Sequence, residues 1–148
     1  MKIREATISD LEGTAILFNE YRIFYRQESD LESSLEFIRE RMINGDSVIL
    51  VASTQDGLVG FVQMYPSFSS VAMKRIYILN DLFVLPSSRR KGAANSLLKA
   101  AYNYGANKSA VRLVLATDTS NIEAQALYEK DGWIKNDRFI HYNKAIVA

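Results

Sequence analysis

Cysteine is absent from the 148 residues, which removes disulfides, thiolate metal sites and cysteine nucleophiles together. Histidine occurs once, at His141, so a transition-metal centre is not expected. A Ser-His-Asp triad would need His141 as its base, and that lone residue reads more simply as a packing or surface side chain. Only two prolines and seven glycines are present, and no stretch has the composition of a hinge. No apolar run approaches the ~18 residues of a membrane-spanning helix. Met1 to Glu5 is charged and lacks the apolar centre of a secretory signal, so a cytoplasmic location is expected. Excess charge of one sign is missing too: 18 Lys and Arg stand against 17 Asp and Glu, which disfavours a dedicated nucleic-acid binder.

What is present fits one soluble domain, residues 1–148, against a prior of about 150 residues per domain. Hydrophobic residues make up 48% and charged residues 24%, enough apolar material for a core without staples. The charges are unevenly placed. Residues 1–46 carry ten acids and six bases, whereas residues 74–99 carry six bases and one acid. A cationic partner at the front and an anionic one at the centre would match that pattern, as would plain solvated surface.

Periodicity gives the order β α α β β β α β α β β. Lys2 to Ala6 alternates as a strand. Ser9-Asp10-Leu11-Glu12 and Ser29-Asp30-Leu31-Glu32 read as capping boxes that open two helices, the second closed by Asn44-Gly45. Ser47 to Ala52 and Leu58 to Tyr65 form a hairpin about Gln55-Asp56-Gly57, and a strand near residues 75–84 completes a meander. Residues 92–107 read as a helix and residues 111–116 as a strand. Ser120-Asn121-Ile122-Glu123 opens a last helix ending near Asp131-Gly132, before short strands at 133–134 and 139–146. The class is α/β (α+β), with one mixed central sheet of about seven strands and about four helices.

Chemistry concentrates in two segments. Asp81 to Ala94 runs strand, loop, helix start, with Arg89, Arg90 and Lys91 ahead of Gly92, Ala93 and Ala94. A helix start offers free N–H groups and the positive end of the helix dipole, a seat for phosphate or pyrophosphate. The plainer alternative is a solvated basic loop with a packing glycine. Neither the P-loop nor the G-x-G-x-x-G pattern is present, which disfavours a P-loop ATPase or a Rossmann dehydrogenase. In the second segment, Asn121, Ala124 and Tyr128 share one helix face and would wall an extended ligand. The alternative there is that Asn121 caps the helix and Tyr128 packs in the core.

Taken together, the two segments resemble the GNAT superfamily of N-acetyltransferases. Arg89-Arg90-Lys91-Gly92-Ala93-Ala94 is similar to that family's acetyl-coenzyme A signature, and Asn121-x-x-Ala124-x-x-Leu127-Tyr128-x-x-x-Gly132-Trp133 to its second motif. Leu79 to Val84 looks like its central strand. The likeness covers nearly the whole chain and is nearest to small bacterial and fungal members with a tyrosine acid, a yeast histone and polyamine acetyltransferase type among them.

That resemblance implies acetyl transfer from acetyl-CoA to an amine by direct attack on the thioester, without a metal. Leu82, Phe83 and Val84 would hold the pantetheine arm by backbone groups, and Arg89, Arg90, Lys91, Gly92, Ala93 and Ala94 the pyrophosphate. Asn121 would bond the pantetheine, with Ala124 beside it, and Tyr128, near the thioester sulfur, would protonate the departing thiolate. Some relatives carry a glutamate base on the fourth strand; here Ile78 aligns with it, leaving Asn80, Asp81 or a water chain to take the amine proton. Tyr21, Phe24, Tyr25, Glu28 and Tyr65, with the loop Tyr65 to Ser70, would line the amine entrance. A homodimer is implied, and a membrane or nucleic-acid partner is not. The competing reading is an acyl-CoA-binding regulator that kept the fold without catalysis.

Overall fold

The computed structural model describes residues 1–147. The chain forms two compact units, Met1–Ala116 and Thr117–Ala148.

In the first unit, period-2 patterning becomes a five-stranded sheet in the order β1-β2-β3-β4-β5. The strands are β1 (Lys2–Glu5), β2 (Val48–Thr54), β3 (Gly57–Ser69), β4 (Lys74–Val84) and β5 (Arg112–Val114). Neighbours are antiparallel except β4 and β5, which are parallel, so the sheet is mixed. Parallel pairing needs a crossover, supplied by α3 (Ala93–Asn107). Helices α1 (Leu11–Phe24) and α2 (Leu31–Asn44) join β1 to β2.

Side chains alternate across the strands, and each face of the sheet receives its own helices. Leu17, Phe18 and Ile38 from α1 and α2 pack on Ile49, Val51, Phe61 and Phe83. One residue along, Gly60 points the other way: a Cβ there would stand 3.3 Å from Leu97 of α3. Leu97, Leu98 and Ala101 are fully buried and anchor that helix.

A tie at the N-terminal end carries a pH dependence. The Asp10 carboxylate, 11% exposed, accepts from Arg4 at 2.7 and 2.9 Å and from the Thr7 N–H at 2.8 Å. The Arg4 hydrogen bonds are the main reason its pKa is lowered to about 2. A carboxylate held below its unfolded value of ~3.9 contributes stability above that value and loses it as pH falls towards the folded one. Urea unfolding from pH 5 to pH 2 should therefore cost the parent ~1–2 kcal/mol more than Asp10→Asn. Equal losses in the two proteins would contradict that role for the pair.

The helix starts differ from the expected capping boxes. Asp10 precedes α1 but its carboxylate is committed to Arg4 and Thr7. Asp30, not Ser29, caps α2 by accepting from Ser33 N–H at 3.0 Å, while Ser29 Oγ accepts from Asn19. Gly45 closes α2 in the left-handed conformation at φ +60°, as Asn44-Gly45 suggested. The stretch from Tyr65 to Ser70 is mostly strand instead of loop, because β3 continues to Ser69 in register with β4. Pro66 is tolerated there because β2 pairs only as far as Met64, leaving that side without a ladder bond to donate.

The second unit holds α4 (Ile122–Lys130), capped by Asn121, whose Oδ1 accepts from the Ala124 N–H at 3.1 Å. Ser120, the expected cap, bonds to Asp118 instead. Among the described residues the strands expected at 133–134 and 139–146 do not form, and the sheet has five strands and not about seven. The reason lies in pairing. Alternation specifies a strand only when a neighbour accepts its ladder bonds and covers its apolar face. Ile134, Ile140, Tyr142 and Ile146 are 92%, 79%, 89% and 96% exposed. No helix among the described residues is long and apolar enough to cross a membrane.

Candidate functional site

The fourth strand opens in mid-course. β5 pairs with β4 only at Ile76, Tyr77 and Ile78, while β4 continues six residues further to Val84. Beyond Ile78 the edge of β4 towards β5 has lost its neighbour. Which residues face that edge follows from register. Leu85 N–H donates to Val59 O on β3 at 2.9 Å. Antiparallel pairs alternate between bonded and non-bonded, so Phe83 and Asp81 share the bonds with β3. Leu82 and Val84 therefore turn their N–H and C=O groups to the open edge. Phe83 points into the core at 7% exposure.

A bulge marks where the edge opens. Gln63 pairs with Asp81 and Met64 with Leu79, which leaves Asn80 as the extra residue on β4. Ile78, aligned above with the family's glutamate, still lies within the β5 pairing. Asn80 is exposed, whereas Asp81 beside it is 1% exposed. The Asp81 carboxylate accepts from Gln63 Nε2 and Asn80 Nδ2, each at 2.6 Å. Burial pushes its pKa up, and hydrogen bonds from Asn80, Gln63 and Tyr21 pull against that rise. Gln63 was not anticipated from the sequence. The available signal was an amide inside an apolar strand, facing the only acid of the next strand.

The open edge runs into the start of α3. Gly92 is its N-cap at φ +86°, with open space where a Cβ would stand. Arg90 is left-handed at φ +63°, so two backbone reversals shape the turn. The first helical hydrogen bond runs from Ser96 N–H to Gly92 O, which leaves the N–H groups of residues 92–95 ahead of the ladder. Ala93 is buried at 2% and Ala94 half-buried, so neither covers the helix end with a long side chain. Arg89 is held on the strand side of the turn: its Nε donates to Val84 O at 2.9 Å, and its guanidinium lies 5.5 Å from the Phe83 ring and 6.0 Å from Phe24. Arg90 and Lys91 are exposed. Extended backbone edge, positive turn and bare helix start fit an extended, amide-bearing arm ending in a diphosphate.

Most of the expected entrance residues cluster on the α1 side of β4. Tyr21 OH donates to Asn80 O at 3.0 Å, and the Tyr21 and Tyr25 rings lie 4.9 Å apart. Phe24 stacks edge-on against Tyr25 at 5.3 Å. Tyr65 is half-buried, and burial together with the nearby Asp81 charge raises its phenol to about 12, so it remains protonated. Glu28 is exposed, and its backbone carbonyl accepts from Arg22 at 3.5 Å.

In the second unit, Asn121, Ala124 and Tyr128 do share one face of α4, and Asn121 spends its side-chain oxygen on capping. The Tyr128 ring lies 6.0 Å from Trp133, and Tyr128 O accepts from Trp133 N–H at 3.0 Å. Gly132, at φ +97°, makes the turn between them. His141 is exposed. Among the described residues no group of three or more His, Cys, Asp or Glu is arranged to hold a metal.

The chain has relatives among known proteins. The Acetyltransferase (GNAT) family matches residues 14–133. The uncharacterized N-acetyltransferase YhfO of Bacillus subtilis is 50% identical over 142 residues, 96% of this chain and 95% of its own length. A crystal structure of a probable acetyltransferase superposes with a TM-score of 0.93 at 39% identity, covering 100% of this chain and 99% of that one. At 22% identity, the structure of AAC(6')-Iy in complex with the bisubstrate analog CoA-S-monomethyl-acetylneamine shares the fold, with a TM-score of 0.82 over 98% of each chain. The chain belongs to the GNAT family of acetyltransferases and is an N-acetyltransferase.

Proposed function

We propose that this enzyme moves the acetyl group of acetyl-CoA to a primary amine on a small, cationic acceptor such as a polyamine, an amino sugar, an amino acid or a lysine side chain. The observation that carries the reading is the unpaired stretch of β4 leading directly into the bare start of α3. An extended pantetheine arm adds to such an edge as a further strand would, through Leu82 and Val84. The pyrophosphate then falls to the N–H groups of residues 92–94, with the positive charge of Arg89, Arg90 and Lys91 around it. The Val84 carbonyl is already engaged by Arg89, so its N–H is the group left for the ligand.

The chemistry is a direct displacement. The neutral amine attacks the thioester carbonyl, a C–N bond forms, the C–S bond breaks, and a backbone N–H on β4 stabilises the oxyanion. Tyr128 gives its proton to the leaving thiolate, and the proton lost by the nitrogen passes by way of the Asn80 and Asp81 region to water. Tyr128 serves as the acid in the manner of the tyrosine-bearing relatives, including the yeast type. Tyr21, Phe24, Tyr25 and Tyr65 shape the acceptor side, and the acids of residues 1–46 favour a cation there. Ala124 and Asn121 border the arm, and Glu28 lies at the outer margin.

Incubation with acetyl-CoA and a panel of spermidine, kanamycin, lysine and a lysine peptide, read by thiol release, tests the reading. Turnover with at least one amine is expected. Acetyl-CoA binding with no turnover on any amine would favour a regulator that only binds the ligand. A homodimer in the cytoplasm completes the proposal, supported by the exposed apolar side chains of residues 134–147.

A further inference from the structure

Two facing polar side chains lie buried where β3 pairs with β4: Gln63, 0% exposed, and Asp81, 1% exposed. Burying a carboxylate and an amide there is costly unless their polar atoms find partners. They do, and the partners form a directed chain. Ser47 Oγ lies 2.8 Å from Gln63 Oε1 and donates to it. Gln63 Nε2 donates to Asp81 Oδ2, and Asn80 Nδ2 donates to Asp81 Oδ1. Asp81 accepts at both oxygens, so each amide must turn its NH2 group towards it. That leaves the Asn80 amide oxygen turned away from Asp81, on an exposed residue at the bulge where the open edge begins.

We infer that Gln63 is a positioning residue for the acceptor: through Asp81 it locks the Asn80 side chain with Oδ1 outward, as the acceptor of an N–H bond from the incoming amine. The inference rests on the amine acetylation proposed above and adds to it the atom that receives the amine. An amide oxygen backed by a carboxylate suits a protonated or neutral alkyl amine and does not itself remove the proton. Gln63 touches no substrate. Its role is to hold Asp81 Oδ2, so that the carboxylate keeps its orientation towards the Asn80 amide.

The test follows the Asn80 side-chain amide signals of 15N-labelled protein, assigned with Asn80→Ser, during titration with n-butylammonium chloride in the absence of acetyl-CoA. A saturating shift is expected for the parent. Gln63→Met, similar in volume but unable to donate to Asp81, should weaken the response at least about fivefold, because a buried acceptor loses its donor. Acetyl-CoA affinity should stay within about twofold, since that ligand uses the other edge of β4. An equal response in Gln63→Met overturns the inference, as does a parent that binds acetyl-CoA without any Asn80 shift. Should Gln63→Met not fold, Ser47→Ala removes only the far donor. It should cost about two- to threefold, and an unchanged response would overturn the proposal equally.

Discussion

Gly92→Glu should lower acetyl-CoA affinity by at least about a hundredfold, through two effects that act in the same direction. The first is steric. Gly92 sits at φ +86° with open space where a Cβ would be, and the bare N–H groups of residues 92–95 border that space. A side chain at this position would stand where the proposed site receives the phosphates. The second is electrostatic, since a carboxylate near the helix start neutralises the positive end of the dipole and repels a diphosphate. Gly92→Gln separates the two, because it adds the same bulk without the charge. Its loss should be smaller by about tenfold, the size of one like-charge contact near a surface. Both variants adopt a left-handed backbone that L-residues disfavour by ~1 kcal/mol, so both should melt slightly below the parent and by similar amounts. Calorimetric affinities alongside melting curves check this. If Gly92→Glu binds as tightly as the parent, the pyrophosphate does not lie at residues 89–94.

Tyr128→Phe should lower turnover on the best amine at least about tenfold while leaving acetyl-CoA affinity within a few-fold. The substitution keeps the ring that lies 6.0 Å from Trp133, and the backbone bond from Trp133 N–H to Tyr128 O does not involve the hydroxyl. The ring contact with Trp133 and the backbone bond are thus kept while the phenolic proton is removed. Loss of a general acid slows departure of the thiolate without altering how the ground state is bound, so kcat should fall and KM for acetyl-CoA should not rise. Steady-state kinetics with both substrates varied decide the matter. Unchanged turnover would take Tyr128 out of the mechanism, and an equal fall in affinity would make it a binding residue.

Much of this was legible in the chain because local rules and tertiary demands agreed. The hairpin at Gln55-Asp56, the left-handed Gly45 and the helix over residues 93–107 all follow from turn chemistry and periodicity. Disagreement arose where side chains compete. The serines at 9, 29 and 120 had the spacing of capping boxes, yet Asp30 and Asn121 do the capping, while Ser29 serves Asn19 and Ser120 serves Asp118. The final strands failed for a related reason, since among the described residues no strand pairs with residues 139–146. Leu82 and Val84 came from the resemblance alone, and only the register shows that both turn their backbone groups to the unpaired side of β4. Gln63 had no motif. Its meaning depends on Asp81 lying across the ladder 18 residues later, a relation that only strand pairing reveals.

The most direct measurement is a calorimetric titration of the unmodified protein with acetyl-CoA, without any amine. One site per chain with micromolar affinity is expected, as the open edge of β4 and the α3 start together offer backbone partners for the arm and for the diphosphate. No heat of binding up to millimolar ligand would contradict the account, because every later step depends on that complex.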